Sequence, residues 1–201
     1  TSFEGLNTWR CISPIYGKNL ENVAFTGNGV YDGSGDAWRM VKKDKLTESQ
    51  WKNLVASGGV LNDKKTSWYP SEQYVKGNQN ADQNVRFDLK TKEQFEEIRD
   101  FLRPVMVSIQ NSKRVLFDGP IFQNSPAWNI HPLMVEDLII RNTTVRNPWY
   151  SQNGDGLDVE SCKNVLVENS SFDVGDDAIC IKSGKDKDGR DRGVACENII
   201  I

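Results

Sequence analysis

Three aspartates in two short stretches are the residues of this sequence best suited to chemistry. Asn153-Gly154-Asp155 precedes Gly175-Asp176-Asp177, and Asp177 lies 22 positions after Asp155. Carboxylates held close together repel one another, and this repulsion raises the pKa of at least one of them. Carboxyl groups with different pKa values can supply one acid and one base, the pair that hydrolysis of a glycosidic bond requires.

Other ionisable residues near these stretches have weaker claims to a role. Lys182 follows Asp177 by five positions and is a candidate for contacting an anionic substrate. We interpret Asp158 and the single histidine, His131, as structural residues. The basic tract 185–192 is predicted to be a solvated loop.

A repeating pattern predicts the elements that position the aspartates. Apolar anchors recur at Val23, Val115, Leu138, Val165 and Ile199. An apolar residue stands two positions after each anchor, and a Gly or Asn stands four positions after the first four. Seven positions after these four come Val30, Phe122, Val145 and Phe172. The alternation predicts short strands, and Gly or Asn predicts sharp bends because both tolerate positive φ.

The spacing of the anchors predicts an all-β fold, a right-handed parallel β-helix. Successive anchors over 115–199 are separated by 23, 27 and 34 residues, which indicates coils stacked at the ~4.8 Å strand spacing. A β-sandwich is the alternative. The stretch 156–159 matches 178–181, and this register stacks Asp155 on Asp177. We therefore expect the three carboxylates to converge.

Residues 39–103 interrupt the repeat and are predicted to form a helical and loop insertion within one domain, 1–201. Capping boxes at Thr47-Glu48-Ser49-Gln50 and Thr91-Lys92-Glu93-Gln94 predict the starts of two helices. Gly58 and Gly59 would end the first helix, and Pro104 would end the second. Phe95, Ile98 and Leu102 would share one face of the second helix. Loops are predicted at Ser67-Trp68-Tyr69-Pro70 and Lys76-Gly77-Asn78.

Composition and charge exclude several classes of protein. The 201 residues carry a formal net charge of −3, whereas a nucleic-acid-binding domain usually shows a basic excess. No run of 18 apolar residues exists that could span a membrane. Four cysteines are too few and too scattered for a disulfide scaffold. We therefore expect neither nucleic-acid nor membrane partners. We interpret the start at Thr1 as a sign that the chain is processed, trimmed or a fragment.

The two acidic stretches resemble the signatures of glycoside hydrolase family 28, the polygalacturonases. Supporting stretches typical of its bacterial members are Asn124-Ser125-Pro126-Ala127-Trp128, Asn147-Pro148-Trp149-Tyr150 and Ile181-Lys182-Ser183-Gly184. The stretch 28–35 is similar to the family's N-terminal coils. The resemblance implies a pectin-lyase-like β-helix that hydrolyses α-1,4 bonds between galacturonic acid units of pectin, with inversion.

Residue roles also follow from the resemblance. Asp176 would be the general acid that protonates the leaving oxygen, and Asp155 and Asp177 would activate the attacking water. Asn153 would orient the site. Lys182 is a substrate-binding candidate from its position after Asp177 rather than from the resemblance. An inverting pair needs acid and base carboxyls ~6.5–9.5 Å apart, which leaves room for water. We expect no cofactor and no metal.

The resemblance further implies a partner and a location. We expect a polysaccharide substrate, which is pectin, homogalacturonan or rhamnogalacturonan, and a secreted or periplasmic monomer; endo and exo attack both stay open. Gly154 replaces the family's usual Thr. The family's Gly-His-Gly and Arg-x-Lys segments do not occur before Ile201. We therefore expect the N-terminal portion of a longer enzyme, with a β-helix truncated at its C-terminus and little activity alone.

Two other functions stay open. Three close carboxylates could bind Ca²⁺ through oxygen, so a pectate-lyase-like β-elimination that depends on Ca²⁺ is the first alternative. A non-catalytic β-helix that binds carbohydrate is the second. The Gly-Asp-Asp pattern favours hydrolysis over the lyase reaction.

Overall fold

Strands make up most of the regular structure in this computed structural model, which describes residues 2–3, 6–79 and 85–201. The strands in these ranges are β1 (Ser2–Phe3), β2 (Leu6–Asn7), β3 (Ile15–Lys18), β4 (Glu21–Thr26), β5 (Val30–Asp32), β6 (Val41–Lys42), β7 (Val60–Leu61), β8 (Ser67–Tyr69), β9 (Val107–Gln110), β10 (Lys113–Asp118), β11 (Ile121–Gln123), β12 (Ile130–Leu133), β13 (Glu136–Arg141), β14 (Thr144–Arg146), β15 (Leu157–Glu160), β16 (Lys163–Glu168), β17 (Ser171–Asp173), β18 (Ile179–Lys182) and β19 (Glu197–Ile200). The α-helices are α1 (Glu48–Ala56), α2 (Glu72–Asn78), α3 (Lys92–Glu96) and α4 (Asp186–Arg192), and 3₁₀ helices form at Gly35–Ala37 and Lys43–Lys45. None of the helices in the described ranges is long and apolar enough to cross a membrane.

Each coil contributes strands to three parallel sheets. The first sheet has the order β18-β15-β12-β9-β3, the second β19-β16-β13-β10-β4, and the third β17-β14-β11-β5. A coil such as β9-β10-β11 visits the three sheets in turn, and the next coil, β12-β13-β14, stacks on it in parallel. The predicted parallel β-helix is confirmed, and the alternative of a β-sandwich is wrong.

The predicted anchors pair with one another across the second sheet. Val115 lies opposite Val23 on one side and Leu138 on the other, and the same row continues through Val165 to Ile199. Apolar side chains at a spacing of two residues all point into the coil, so only this register buries every one of them. The repeat in the sequence is therefore the stacking register itself.

One position of the predicted register is wrong. Phe122 pairs with Tyr31, whereas Val30 pairs with Ile121 and is exposed. The bend before β5 holds three residues, 27–29, where the bends of the later coils hold two. The longer bend moves the inward-pointing position from Val30 to Tyr31.

The hydrophobic core fills the interior of the coils. Phe25 stacks on Phe117 with ring centroids 4.7 Å apart and planes inclined by 7°, and Leu138 is fully buried. The bends adopt the positive φ that their residues predict, with φ of 53° at Asn142 and 100° at Gly119. A Cβ atom on Gly119 would lie 2.8 Å from the carbonyl oxygen of the coil below, so this bend requires glycine.

The 39–103 segment forms the antiparallel sheet β6-β8-β7 and helices α1 to α3. Both predicted capping boxes are present, at Thr47 before α1 and at Thr91 before α3. Gly58 and Gly59 follow α1 with φ of 108° and 78°. A side-chain oxygen at the N-cap satisfies a backbone N–H that has no partner within the helix, which explains why these starts were predictable.

Both loops predicted in the 39–103 segment are wrong. Ser67–Tyr69 is strand β8, because its buried aromatic side chains Trp68 and Tyr69 lie between β6 and β7. Lys76-Gly77-Asn78 belongs to helix α2. Gly77 suits this helix because a Cβ atom there would lie 2.4 Å from the Phe101 side chain.

The second predicted helix is shorter than expected. Helix α3 ends at Glu96, and turns continue the chain toward Pro104. Phe95, Ile98 and Leu102 are nevertheless buried together as predicted. Turns can bring these three side chains to one face as a helix would. The apolar spacing in the sequence therefore did not reveal where α3 ends.

The basic tract is a helix rather than the predicted solvated loop. Helix α4 ends at Arg192, and Gly193 follows in the left-handed conformation that commonly stops helices. Arg192 Nη1 lies 2.6 Å from Glu160 Oε1, and Arg192 Nη2 lies 2.6 Å from Asp188 Oδ2. The pair with Glu160 fastens the helix to the outer face of the first sheet, and the pair with Asp188 lies within the helix.

Candidate active site

Asp155, Asp176 and Asp177 converge at the edge where strands enter the first sheet. The Gly156 N–H donates to the Asp177 carbonyl at 2.9 Å, so the two acidic stretches lie on neighbouring coils in the predicted register. One carboxylate oxygen from each aspartate lies within 4.8 Å of the other two. Asp155 is buried, whereas Asp176 and Asp177 are exposed. The predicted convergence of the three carboxyl groups is present.

The nearest oxygens are closer than the separation of ~6.5–9.5 Å that we expected between acid and base carboxyls. Asp176 and Asp177 are consecutive, and Asp177 stacks on Asp155 at a single strand spacing, so the three groups have little room to separate. Oxygens within 4.8 Å can both accept hydrogen bonds from one water molecule placed between them. The cluster can therefore hold a water by two carboxylates at once.

The bend before Asp176 depends on a close backbone approach. A Cβ atom on Gly175 would lie 2.4 Å from the Pro148 carbonyl oxygen and 2.9 Å from the Ser151 nitrogen. Only glycine lets the loop between β14 and β15 come this near. The Gly of the Gly-Asp-Asp stretch thus sets where Asp176 stands.

Two backbone N–H groups hold the Asp176 carboxylate. The Asn153 N–H donates to Asp176 Oδ2 at 3.0 Å, and the Asp177 N–H donates to Asp176 Oδ1 at 3.1 Å. Asn153 adopts a φ of 53°, a conformation that Asn tolerates better than most residues. Asn153 therefore positions the acidic cluster through its backbone.

Arg103 is a residue of the site that sequence reasoning missed. Its guanidinium is buried and donates to the carbonyl oxygens of Pro126 and Gln152 at 3.0 and 2.8 Å, and to Asn153 Oδ1 at 2.9 Å. It thereby fixes the corner whose N–H holds Asp176. The signal was a lone charge among apolar neighbours, in Phe101-Leu102-Arg103-Pro104-Val105-Met106.

Arg103→Met is expected to lower the free energy of unfolding by ~2–4 kcal/mol, because three buried acceptors lose their donor. A urea unfolding curve measures this loss. Arg99→Met is the matched control: the Arg99 guanidinium is exposed and pairs with the neighbouring Asp100, so a change below ~0.5 kcal/mol is expected. Equal losses in both variants would show that the buried Arg103 guanidinium contributes no more to the free energy of unfolding than the exposed Arg99 does.

Burial and neighbouring charges make Asp155 an unusual carboxyl. Burial, then the charges of Asp158 and Asp176, raises its pKa to about 7, and Lys182 opposes the shift. Asp155 Oδ1 is buried and accepts no hydrogen bond from the described part of the chain. A carboxylate with a raised pKa is a stronger base than an ordinary aspartate.

Lys182 lies at the site, already paired. Its Nζ is 2.6 Å from Asp158 Oδ1 and 3.9 Å from the ring centroid of Trp128. Asp158 thus has a cationic partner, which comes from a position two residues beyond its register partner Cys180. Burial raises the pKa of Asp158, and its bond to Lys182 opposes that rise.

His131 takes part in a buried network on the outer face of the first sheet. Its Nε2 lies 2.7 Å from Glu160 Oε2, and its ring meets the edge of Trp128 at 5.1 Å. Burial alone would raise the pKa of Glu160, but the bonds to His131 and Arg192 lower it to about 2. The network connects β12, β15 and α4 beside the acidic cluster.

The acidic cluster could also hold a cation. One oxygen from each of Asp155, Asp176 and Asp177 would face the ion, and Ca²⁺ prefers such oxygen ligands. The same oxygens can act as acid and base without an ion. Chelation therefore separates the two uses experimentally.

Comparisons with known proteins agree with this geometry. Residues 102–198 match the model of a family described as glycosyl hydrolases family 28. A probable polygalacturonase of Vitis vinifera is 26% identical over 193 residues, which cover 96% of this chain and 29% of the relative. An exo-poly-alpha-D-galacturonosidase of Dickeya chrysanthemi is 24% identical over 171 residues, which cover 85% of this chain and 26% of the relative.

A solved structure matches over the full chain. A hyperthermoactive exopolygalacturonase from Thermotoga maritima superposes with a TM-score of 0.67 and 31% sequence identity, covering 100% of this chain and 41% of its own. The chain thus spans less than half the length of each of these three proteins. The β-helix, the two acidic signatures and the match over residues 102–198 all agree with the family described as glycosyl hydrolases family 28.

Proposed function

We propose that this chain provides the acidic catalytic cluster of an enzyme that hydrolyses α-1,4 bonds between galacturonic acid units with inversion. The convergence of Asp155, Asp176 and Asp177 carries the proposal of hydrolysis, because it brings an exposed acid and a buried base to one spot. Inversion is what the resemblance to family 28 implies. The relatives described as polygalacturonases and exopolygalacturonases support this choice of substrate.

In the proposed mechanism the three carboxyls have separate roles. Asp176 is exposed and donates a proton to the leaving glycosidic oxygen. Asp155 and Asp177 accept a proton from the water that attacks the anomeric carbon on the opposite face. The pKa of about 7 makes Asp155 a base matched to near-neutral pH. Asn153 holds the acid in place through its N–H.

Lys182 has an electrostatic role in the proposal. Its ammonium group is fixed by Asp158 and Trp128 at the rim of the cluster, with a quarter of its side chain exposed. A positive charge fixed there would attract the carboxylate of a galacturonate unit. The ammonium group is already held by Asp158 and Trp128, so its position depends little on the substrate. The same charge opposes the rise in the Asp155 pKa.

The proposal also covers the substrate, the location, the oligomeric state and the domain organisation. The substrate is a pectic polysaccharide, homogalacturonan or rhamnogalacturonan, met outside the cytoplasm in the secreted or periplasmic space by a monomer. We also propose one β-helix domain, 1–201, with 39–103 as an insertion. In support, the 39–103 segment has apolar clusters of its own yet supplies Arg103 to the site.

Product analysis tests the proposal against both alternatives. The full-length protein is incubated with polygalacturonate with and without a chelator, and reducing ends and ultraviolet absorbance are followed together. Hydrolysis predicts new reducing ends, no unsaturated product and no effect of the chelator. An absorbing product that disappears on chelation would establish the lyase, and binding without new ends would establish the carbohydrate-binding β-helix.

A further inference from the structure

A cleft of about 150 Å³ opens beside Asp176, between the 39–103 segment and the loop that joins β14 to β15. Met40, Lys42 and Lys45 line it from one side, and residues 149–152 line it from the other. Asp176 and the preceding glycine form the end nearest the acidic cluster. A group bound in this cleft would therefore be in reach of the proposed acid.

The cleft carries two unpaired positive charges. Lys42 and Lys45 are exposed, and neither ammonium group has a salt-bridge or hydrogen-bond partner among the described residues. Lys43, which lies between them in sequence, is paired with Glu48 at 3.8 Å and does not line the cleft. Two free ammonium groups on one wall favour an anionic occupant.

Trp149 gives the cleft an apolar wall. Its side chain is 58% exposed, an unusual state for so large an apolar group. The indole N–H donates to the Lys45 carbonyl at 2.7 Å, and the Tyr150 ring packs edge-on against it at 5.3 Å. These contacts hold the indole in place and attach the 39–103 segment to the β14–β15 loop. An exposed, fixed aromatic side chain can pack against the apolar face of a sugar ring.

The floor of the cleft includes polar atoms without partners. Ser151 Oγ and Gln152 Oε1 are buried and make no hydrogen bond within the described ranges of the chain. Buried polar atoms of this kind are costly unless a ligand or water satisfies them. Hydroxyl groups of a bound sugar could supply the missing donors.

We propose that this cleft is a subsite for one galacturonate unit, in which Lys42 and Lys45 bind the sugar carboxylate and Trp149 packs against the ring. The inference rests on the proposed function for the identity of the sugar. It assigns to the 39–103 segment a role in substrate binding that the acidic cluster alone cannot perform. The subsite selects for the free acid because an uncharged sugar leaves both ammonium groups without a partner.

The test measures binding of galacturonate and of galactose to the full chain by calorimetry. Galactose lacks the carboxylate and is the matched ligand. The Lys42→Ala/Lys45→Ala variant is expected to bind galacturonate about threefold to thirtyfold more weakly, the range for losing two exposed ion pairs. Lys43→Ala is the matched control and should bind as the unmodified protein does. The difference should shrink at high salt, which screens exposed charges.

Three results would overturn the subsite: unchanged galacturonate binding in the double variant, equal loss in Lys43→Ala, or equal affinity of the unmodified protein for galactose. Release of reducing ends from polygalacturonate is measured in parallel. Loss of binding in the double variant without any hydrolysis by the full-length protein would support the subsite and contradict the proposed function. Hydrolysis together with unchanged galacturonate binding in the double variant would support the proposed function and contradict the subsite.

Discussion

Asp155→Asn is expected to stabilise the protein above neutral pH while it removes most of the proposed activity. The pKa of Asp155 is about 7 in the folded protein, against 3.8 for an ordinary aspartate. Between these values the folded protein holds a proton that the unfolded chain has released. The free energy of unfolding of the unmodified protein therefore falls as pH rises from about 4 to 7, and the asparagine variant avoids this loss.

The stability gain should be small at pH 4 and ~2–4 kcal/mol at pH 8, and urea unfolding at both pH values measures it. Hydrolysis of polygalacturonate should fall by roughly 10²–10⁴, the usual contribution of a general base. Asp173→Asn is the matched control, since Asp173 is an exposed aspartate of β17 outside the cluster. A gain that is absent, or that does not change with pH, would contradict the burial of a charged Asp155.

Asp176→Asn is expected to lower kcat on polygalacturonate by roughly 10²–10⁴, because the leaving sugar oxygen then departs without a proton. An aryl galacturonide with a phenolate leaving group needs little protonation. On that substrate the same variant should stay within about tenfold of the unmodified enzyme. Steady-state kinetics on both substrates measures the contrast.

Stability separates this effect from misfolding. Asp176 is exposed, so its substitution should leave the urea midpoint close to that of the unmodified protein. Equal losses on both substrates would assign Asp176 to a step other than proton donation. Full activity on polygalacturonate would remove it from catalysis altogether.

The sequence was most informative where a residue's environment repeats. Val115 and Leu138 occupy the same position in successive coils, so their spacing revealed the stacking register. That register brought Asp155 to Asp177 without any knowledge of the side-chain contacts. The same logic failed at Val30, because the pattern did not reveal the additional residue in the first bend.

Contacts between distant segments could not be predicted in this way. Arg103 meets Asn153 across 50 positions, and Trp149 meets Lys45 across 104. No local periodicity relates these partners. Helix α4 is another example, because an ion pair between Arg192 and the distant Glu160 stabilises it. The sequence of this charged stretch predicted only a solvated loop. The parts of the site outside the β-helix repeat therefore required the structure.

The anomeric configuration of the first product tests the central claim most directly. The full-length protein is mixed with polygalacturonate in deuterated buffer, and the new reducing ends are observed by proton NMR before they mutarotate. Attack by a water held between Asp155 and Asp177, opposite Asp176, predicts the β-anomer from the α-linked substrate. Initial release of the α-anomer would mean that a carboxylate attacks the sugar directly, and it would contradict the roles assigned to the three aspartates.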